Sequence, residues 1–377
     1  IYNQNIDIMI INLKSQNNLS GLYVVYEGST NIERKGIYGI SHLLEHLLCK
    51  TFFHMIQDFD RDGIEWNAYT SSNEIVFYMT GLDEKIEKHK KEYLSSLQTF
   101  DITKEQFENE RQIVLQEYED TFNDQSQSHQ LNLNRKLFND YDPIGLKEDL
   151  ENLKFMDCLN FYEEQYAKPS KIIYVSKNKK LKNLDIEFSD RVIDKKFKYG
   201  KHDVSLELNN EFKDKTSIIC YSPIIEDDHA YVHFLNAMLS LGLKSPLYDE
   251  VREKRGLVYY IHCYQMRYNQ QGLVSIDTQT SNRNFDGVID GVKSVLSDPK
   301  RFLNKDRFNL VKDYYMVRRE KDEILRYKNV NQWIQPTNWS VYDILESVNL
   351  KKIKDVYEKY YNFDDFYISS DKKEFKK

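Results

Sequence analysis

The sequence predicts an α+β protein of two homologous domains, each a mainly antiparallel sheet packed with helices. Three observations predict this fold class. The chain has 377 residues, more than a single hydrophobic core usually holds. Strand patterns followed by helix patterns occur twice along the chain, which is typical of α+β domains. A short internal repeat links the two halves. We expect one domain over residues 1–190 and a second over residues 205–377, with a charge-dense linker near 180–205.

The first half begins with strands and continues with helices. Runs of Ile, Val and Tyr between polar turns predict strands, and apolar residues three or four positions apart predict helices. In chain order, the predicted elements are strands Asp7–Leu13 and Gly21–Gly28, helix Gly39–Phe53, loop Asp58–Gly63, strand Asn73–Gly81, helices Glu84–Gln98, Lys104–Asp120 and Ser128–Asn139, and strand Lys171–Ser176. Ser128 is the expected N-cap of its helix.

The second half restarts the same order. Its predicted elements are strand Thr216–Tyr221, helix Asp228–Leu241, the segment Ser245–Arg255, strands Tyr259–Met266 and Gly272–Thr278, and helices from Asn284 onward. The internal repeat lies in the first helix of each half, His42-Leu-Leu-Glu-His46 in one and His233-Phe-Leu-Asn-Ala237 in the other. A duplication therefore predicts that the second copy lost the polar chemistry of the first.

Composition excludes several classes of protein. Lys and Arg number 53 against 60 Asp and Glu, a net charge of −7, so no cationic excess is available to displace counterions from nucleic-acid phosphates. The hydrophobic fraction of 40% supports a packed core and argues against global disorder. No apolar run approaches the ~18 residues of a membrane-spanning helix. We expect no nucleic-acid partner and no membrane partner.

The cysteines and the first residues bear on localisation. Cys49, Cys158, Cys220 and Cys263 are far apart and form no CxxC pair, which favours reduced thiols in the cytoplasm. No basic-then-apolar signal peptide opens the sequence. The chain begins at Ile1 rather than Met, so a processed or organellar form is kept as the alternative to a cytoplasmic protein.

The segment from His42 to His46 carries the clearest chemical signal. Positions i, i+3 and i+4 share one face of a helix, so His42, Glu45 and His46 point the same way while the intervening leucines face a core. Two histidines one turn apart form a bidentate zinc clamp, and the adjacent carboxylate can take a proton from an activated water. The Glu directly before the second His gives the inverzincin order. A motif this short also arises by chance, so the rest of the sequence must show whether it marks a zinc site.

Catalytic zinc needs a third protein ligand and one open position. The predicted helix Lys104–Asp120 can supply it, since Thr103 and Gln106 form a plausible capping box at its start. Its inward face includes Glu110 and Glu117 among apolar residues, and a carboxylate on a buried face is costly unless it is paired or bound to metal. Either is a candidate ligand. For Glu110, a salt bridge to a basic residue of another helix is the alternative.

Together these motifs resemble the pitrilysin-type zinc metallopeptidases, which include two-domain bacterial peptidases and the mitochondrial processing peptidase β subunit. The matching stretches are Gly36-Ile-Tyr-Gly-Ile-Ser-His42, the HxxEH motif, Asn67-Ala68-Tyr69-Thr70, and Glu110-Arg111-Gln-Ile-Val-Leu-Gln-Glu117. Glu117 follows His46 by 71 positions, close to the family spacing. The resemblance spans essentially the whole chain.

The resemblance implies a role for each matching residue of the first domain. It implies that His42, His46 and Glu117 bind one Zn²⁺ per chain and that Glu45 is the general base. Glu110 would orient a ligand histidine from outside the metal shell. It also implies that Asn67 and Ala68 lie beside the edge strand to which substrate adds as an extra strand. All five positions of the metal site and the base are present, namely His42, Glu45, His46, Glu110 and Glu117.

A segment of the second domain, Ser245-Pro-Leu-Tyr-Asp-Glu-Val-Arg252-Glu-Lys-Arg-Gly256-Leu-Val-Tyr259, also matches the family. In the family, the corresponding Arg and Tyr reach the substrate backbone and the scissile carbonyl. Arg252 and Tyr259 would take those roles here, since a Tyr hydroxyl can donate to a developing oxyanion. A core tyrosine and a surface arginine are the alternative for these two residues.

The resemblance implies a zinc metalloendopeptidase that hydrolyses peptides or unfolded protein segments. Its two domains would enclose half of a peptidase chamber, which a second copy completes as a homodimer or an inactive homologue completes as a heterodimer. The alternative function is a catalytically silent peptide-binding or scaffold subunit of a heterodimeric peptidase. His229 and His233 also lie one turn apart, but without an acidic partner we interpret them as structural or surface residues.

Overall fold

The protein has mixed α/β structure with two antiparallel-rich sheets, which confirms the predicted fold class. A computed structural model describes residues 9–15, 17–138, 142–182, 186–189, 214–224, 228–268, 271–325, 330, 333–334, 340–371 and 374–375. The predicted linker at 180–205 and the chain end after 371 lie mostly outside these residues, so the domain boundaries stay a prediction. Within the described part of the chain, no helix combines the length and the apolar character needed to cross a membrane.

Among the described residues, the first sheet has five strands, with β3 at one edge. Its strands are β1 (Ile10–Lys14), β2 (Leu19–Glu27), β3 (Glu65–Thr70), β4 (Glu74–Leu82) and β5 (Lys171–Ser176). They lie in the order β1-β5-β2-β4-β3. The β1–β5 pair is parallel and the other pairs are antiparallel. Strand β3 was not predicted, because its side chains alternate between exposed and half-buried and include Glu65 and Asn67.

In the described part of the first half, four helices lie close to their predicted positions and three short ones were not predicted. They are α1 (Ile40–Thr51), α2 (Ile56–Asp62), α3 (Asp83–Ser96), α4 (Lys104–Asn123), α5 (Gln125–Phe138), α6 (Lys147–Asn152) and α7 (Phe155–Phe161). The predicted loop at Asp58–Gly63 is wrong, because Phe59 is buried in the core and its segment is helical. Ser128 is not an N-cap either. Helix α5 begins at Gln125, and the side chain of Asp124 accepts a hydrogen bond from the Gln127 N–H.

The second half forms its own sheet and helices. The strands are β6 (Lys215–Ile224), β7 (Val258–Tyr268), β8 (Gln271–Ser281), β9 (Tyr367–Ser370) and β10 (Glu374–Phe375), in the order β10-β9-β6-β8-β7. The helices are α8 (His229–Ser240), α9 (Phe285–Leu296), α10 (Lys305–Leu325) and α11 (Leu350–Tyr360). The order β9-β6-β8-β7 repeats the order β5-β2-β4-β3 of the first sheet, and α8 follows β6 as α1 follows β2. This shared topology supports the predicted duplication.

The two compact units of the chain exchange short segments. Residues 122–138, which include α5, belong to the unit that contains the second sheet, and residues 330 and 333–334 belong to the unit that contains the first. Leu133 and Leu137 of α5 pack with Ile219 and Tyr221 of β6. In the other unit, Val330 and Ile334 join a cluster formed by strands of the first sheet. Neither exchange was predicted from the sequence.

Candidate active site

Helix α1 is held in place by its buried face and by its first turn. Leu43, Leu44, Leu47 and Leu48 are completely buried in the core of the first unit. The buried carboxylate of Glu33 accepts hydrogen bonds from the backbone N–H groups of Gly39 and Ser41, each at 2.9 Å. A carboxylate at this end also complements the helix dipole. Glu33 had no predicted role.

Helix α4 presents two carboxylates towards α1. The predicted capping box is present, since the Thr103 N–H donates to Oε1 of Gln106 at 2.8 Å and the Gln106 N–H donates to Oγ1 of Thr103 at 3.1 Å. Phe107, Glu110 and Val114 are buried, as the helical spacing predicts. Glu117 lies further along this helix, and its side chain is 43% exposed.

The side chains of His42, His46 and Glu117 converge on one point. Nε2 of His42 lies 3.4 Å from Oε2 of Glu117, and Nε2 of His46 lies 3.7 Å from Oε1. One ligand atom from each residue lies within 4.8 Å of the others, and among the described residues this is the only such group. Zn–N and Zn–O bonds of ~2.0–2.1 Å in tetrahedral geometry separate ligand atoms by roughly 3.3 Å. The two spacings between a histidine nitrogen and a Glu117 oxygen, 3.4 and 3.7 Å, are close to that value.

The donor set and its surroundings fit a catalytic zinc ion. Two imidazoles and one carboxylate, with a fourth position open, are a known catalytic zinc combination. Burial, and secondarily the neighbouring His46, lower the pKa of His42 to about 3, so its imidazole is neutral as a metal ligand must be. The buried Nδ1 of His42 has no hydrogen-bond partner among the described residues.

Glu110 contacts both a candidate ligand and a lysine. Its Oε2 lies 3.3 Å from Nδ1 of His46, and its Oε1 lies 2.8 Å from Nζ of Lys50. The outer-shell contact and the salt bridge that the sequence left as alternatives are therefore both present. The predicted position of Glu110 beside a ligand histidine agrees with this geometry. Lys50 had no predicted role.

Glu45 lies on α1 between His42 and His46 and interacts electrostatically with His46 and Glu117. The hydroxyl of Thr70 donates a 2.6 Å hydrogen bond to Oε2 of Glu45. Burial raises the pKa of Glu45 above its ordinary value, and the bond from Thr70 opposes that rise. Thr70 belongs to the Asn67–Thr70 segment that resembles the family, but it had no predicted role.

Asn67 and Ala68 lie within the edge strand itself. Both belong to β3, which pairs with β4 along one of its two edges. The Ala68 N–H donates to Oδ1 of Asn67 at 2.9 Å. No described strand pairs with the other edge of β3, and an edge of this kind presents backbone N–H and C=O groups.

Arg252 and Tyr259 come together in the second unit. Arg252 lies in a π-helical turn, Tyr248–Lys254, and Tyr259 is the second residue of β7. The Arg252 guanidinium lies 4.5 Å from the ring centroid of Tyr248 and 5.0 Å from that of Tyr259. Tyr259 is 80% exposed, so the alternative of a core tyrosine does not hold.

Among the described residues, those of α8 form no group comparable to His42, His46 and Glu117. His229 is buried with its Nδ1 2.5 Å from Nε2 of Gln265, which agrees with a structural interpretation. Asn236, the counterpart of Glu45 in the repeat, is buried and accepts hydrogen bonds from the Tyr361 hydroxyl and the Cys263 thiol. In the second unit this helix position is structural.

The sequence and the fold are similar to known peptidases. A relative from Rickettsia felis named an uncharacterized zinc protease is 23% identical over 349 residues, 82% of this chain and 84% of that protein. The crystal structure of a protease from Helicobacter pylori matches with a TM-score of 0.77 and 15% identity over 97% of both chains. The periplasmic protease PqqL from Escherichia coli matches with a TM-score of 0.67 and 11% identity over 96% of this chain and 46% of that chain.

Two family models divide the chain between them. Residues 9–143, which contain His42, Glu45, His46 and Glu117, match the model described as Insulinase (Peptidase family M16). Residues 179–315 match the model described as Peptidase M16 inactive domain. This division agrees with the one-sided distribution of polar side chains between α1 and α8. The chain therefore belongs to peptidase family M16, the insulinase family.

Proposed function

We propose that this chain is a zinc-dependent endopeptidase that hydrolyses peptides or unfolded protein segments. The observation that carries the proposal is the convergence of His42, His46 and Glu117, with the carboxylate of Glu45 beside them. Two basic nitrogens, one anionic oxygen and an adjacent base are the parts that metal-assisted hydrolysis needs. The relatives named zinc proteases support the choice of metal.

The residues of the first unit would have different roles in hydrolysis. His42, His46 and Glu117 would hold one zinc ion, which when bound acidifies water and polarises a carbonyl. Glu45 accepts the proton of the attacking water and returns it to the leaving amine. Because Thr70 donates to Oε2 of Glu45 and no described residue donates to Oε1, Oε1 is the oxygen that would make this transfer. Glu110 holds Nδ1 of His46, so Nε2 keeps its lone pair for the metal.

Arg252 and Tyr259 would bind substrate from the second unit. The Tyr259 hydroxyl is exposed and can donate to the oxyanion that forms at the scissile carbonyl. The Arg252 guanidinium carries hydrogen-bond donors suited to carbonyl groups of the substrate backbone. Its stacking between Tyr248 and Tyr259 restricts both side chains before substrate arrives.

The position of β3 at the sheet edge supports an extended substrate. Strand β3 can pair with a peptide through backbone hydrogen bonds, and this pairing requires an extended, unfolded segment. Asn67 and Ala68 lie on that strand, and Thr70 at its end contacts the general base. A peptide added to β3 would therefore run beside the metal-binding residues.

We propose further that two copies of the chain pair. This chain covers 46% of PqqL, so two copies supply the same extent of fold as one PqqL chain. A heterodimer with an inactive homologue is the other arrangement. Light scattering of the purified protein tests this, and a homodimer gives twice the 45.2 kDa chain mass.

A catalytically silent peptide-binding subunit is the second candidate function. The match of residues 179–315 to an inactive domain favours it, although the metal-capable residues lie outside that range. Cleavage of a quenched fluorescent peptide, before and after removal of metal by a chelator, separates the two. Activity that is lost on chelation and restored by zinc supports the peptidase. Cleavage that is unaffected by the chelator would overturn the zinc mechanism, and a zinc-loaded chain without cleavage would favour the silent subunit.

A further inference from the structure

A lysine on α1 contacts the carboxylate that orients His46. Lys50 follows His46 by one helical turn, so both side chains lie on the same face of α1. Its Nζ lies 2.8 Å from Oε1 of Glu110, while Oε2 of Glu110 lies 3.3 Å from Nδ1 of His46. Each oxygen of this carboxylate thus has one partner on α1.

We propose that Lys50 is a positioning residue of the metal site, which it serves by fixing Glu110 against His46. The inference rests on the proposed function, because the ligand it positions is a zinc ligand. Lys50 itself touches neither substrate nor metal. It acts through two contacts in series, from ammonium to carboxylate and from carboxylate to imidazole.

Burial makes this lysine necessary for the carboxylate. The Glu110 side chain is only 7% exposed, and an anionic group removed from water needs a countercharge. His46 must remain neutral to bind a metal, so it supplies a hydrogen bond but no charge. Lys50, with 28% of its side chain exposed, supplies the positive charge from the protein surface.

The contact also fixes the direction of the carboxylate. With Oε1 held by Lys50, the second oxygen faces Nδ1 of His46, which can then donate its N–H. That tautomer leaves Nε2, the atom facing Glu117, with its lone pair free. Without Lys50, the carboxylate loses one of its two anchors and can turn away from the imidazole.

The chain offers a matched control for a purely stabilising ion pair. Lys85 lies 2.9 Å from the carboxylate of Asp62, with side-chain exposures of 33% and 8% that resemble the 28% and 7% of Lys50 and Glu110. Asp62 contacts Lys88 and His89 but no member of the candidate metal site. A Lys85→Met variant therefore removes a similar ion pair elsewhere.

The test is the zinc affinity of purified chains, measured by competition with a chelating dye, with Tm measured for each variant. Lys50→Met should bind zinc about tenfold or more weakly, within the ~10–100-fold range of outer-shell changes, and Lys50→Arg should restore most of the affinity. Lys85→Met should leave zinc affinity unchanged. In a Glu110→Gln background, Lys50→Met should have a much smaller effect, because the partner it positions is already altered.

The outcomes separate this inference from the function on which it rests. Wild-type zinc binding with unchanged affinity in Lys50→Met would overturn the role of Lys50 and leave the metal site standing. Equal losses of affinity in Lys50→Met and Lys85→Met would also overturn it, since the effect would then be general destabilisation. No zinc in the wild-type chain would overturn the proposed function and this role with it.

Discussion

The hydroxyl of Thr70 donates a hydrogen bond of 2.6 Å to Oε2 of Glu45. This contact joins the end of edge strand β3 to the helix that carries two candidate zinc ligands. A peptide paired with β3 would therefore lie near the proposed general base. In this way the strand that would bind substrate also orients the carboxylate that moves the proton.

We predict that Thr70→Val lowers kcat about tenfold or more while zinc content stays the same. Valine has the shape of threonine but no hydroxyl, so Glu45 loses its orienting hydrogen bond, and small misplacements of a catalytic group are costly. Steady-state kinetics with a fluorescent peptide measures the effect. Thr70→Ser keeps the hydroxyl and should retain most activity, whereas full activity in Thr70→Val would contradict a role for the contact.

Glu117→Gln should weaken zinc binding by more than the ~10–100-fold that outer-shell changes cost, because it removes an anionic ligand from the metal itself. Equilibrium zinc titration of the purified variant measures this loss. Glu105→Gln on the same helix is the control, because Glu105 is exposed and lies outside the cluster. Equal zinc affinity in Glu117→Gln and wild type would remove Glu117 from the ligand set.

Tyr259→Phe should reduce kcat by roughly 10²–10³-fold, the usual cost of losing one oxyanion donor. Zinc content and Tm should not change, since Tyr259 is 80% exposed. The neighbouring Tyr260→Phe variant removes a hydroxyl that bonds Ser126 at 3.0 Å, so it should cost about 0.5–1.5 kcal/mol of stability without lowering kcat. An unchanged rate in Tyr259→Phe would exclude the residue from the mechanism.

The stability of the second unit should depend on pH through His129. This buried histidine bridges the hydroxyls of Ser217 and Ser369, and burial lowers its pKa to about 3. In the unfolded chain the pKa of His129 is ~6.5. As the pH falls below this value, His129 is protonated in the unfolded chain but stays neutral in the folded chain. Stability from neutral His129 is therefore complete above pH ~6.5 and is lost progressively towards pH ~3.

Chemical denaturation of wild type and His129→Gln checks this dependence. The variant should be less stable at pH 7.5, and the difference between the two proteins should shrink by about 1.4 kcal/mol between pH 7.5 and pH 5.5. The variant is the reference because other groups titrate equally in both proteins. A stability difference that stays constant over this range would show that His129 does not carry the dependence.

Features that depend on local sequence were predicted well. The capping box of Thr103 and Gln106 and the helical spacing from it correctly placed Phe107, Glu110 and Val114 on the buried face of α4. The spacing within α1 likewise gave a leucine face and a polar face. These predictions succeeded because helix geometry alone determines which residues share a face.

Features that depend on packing between distant segments were not predicted. The contacts of Lys50 with Glu110 and of Thr70 with Glu45 join elements far apart in sequence, and no local pattern marks them. Strand β3 was missed because an edge strand exposes every second side chain to water, as Glu65 and Asn67 do here. Helix α5 belongs to the second unit because Leu133 and Leu137 pack against Ile219 and Tyr221, which are distant in sequence.

The most direct test of the central claim is zinc stoichiometry together with peptide cleavage for wild type and Glu45→Gln. We predict one zinc per chain in both proteins, with cleavage of a quenched fluorescent peptide library in the wild type and a loss of at least ~10²-fold in the variant. Equal cleavage by the two proteins, or a wild-type chain that binds no zinc, would contradict the account.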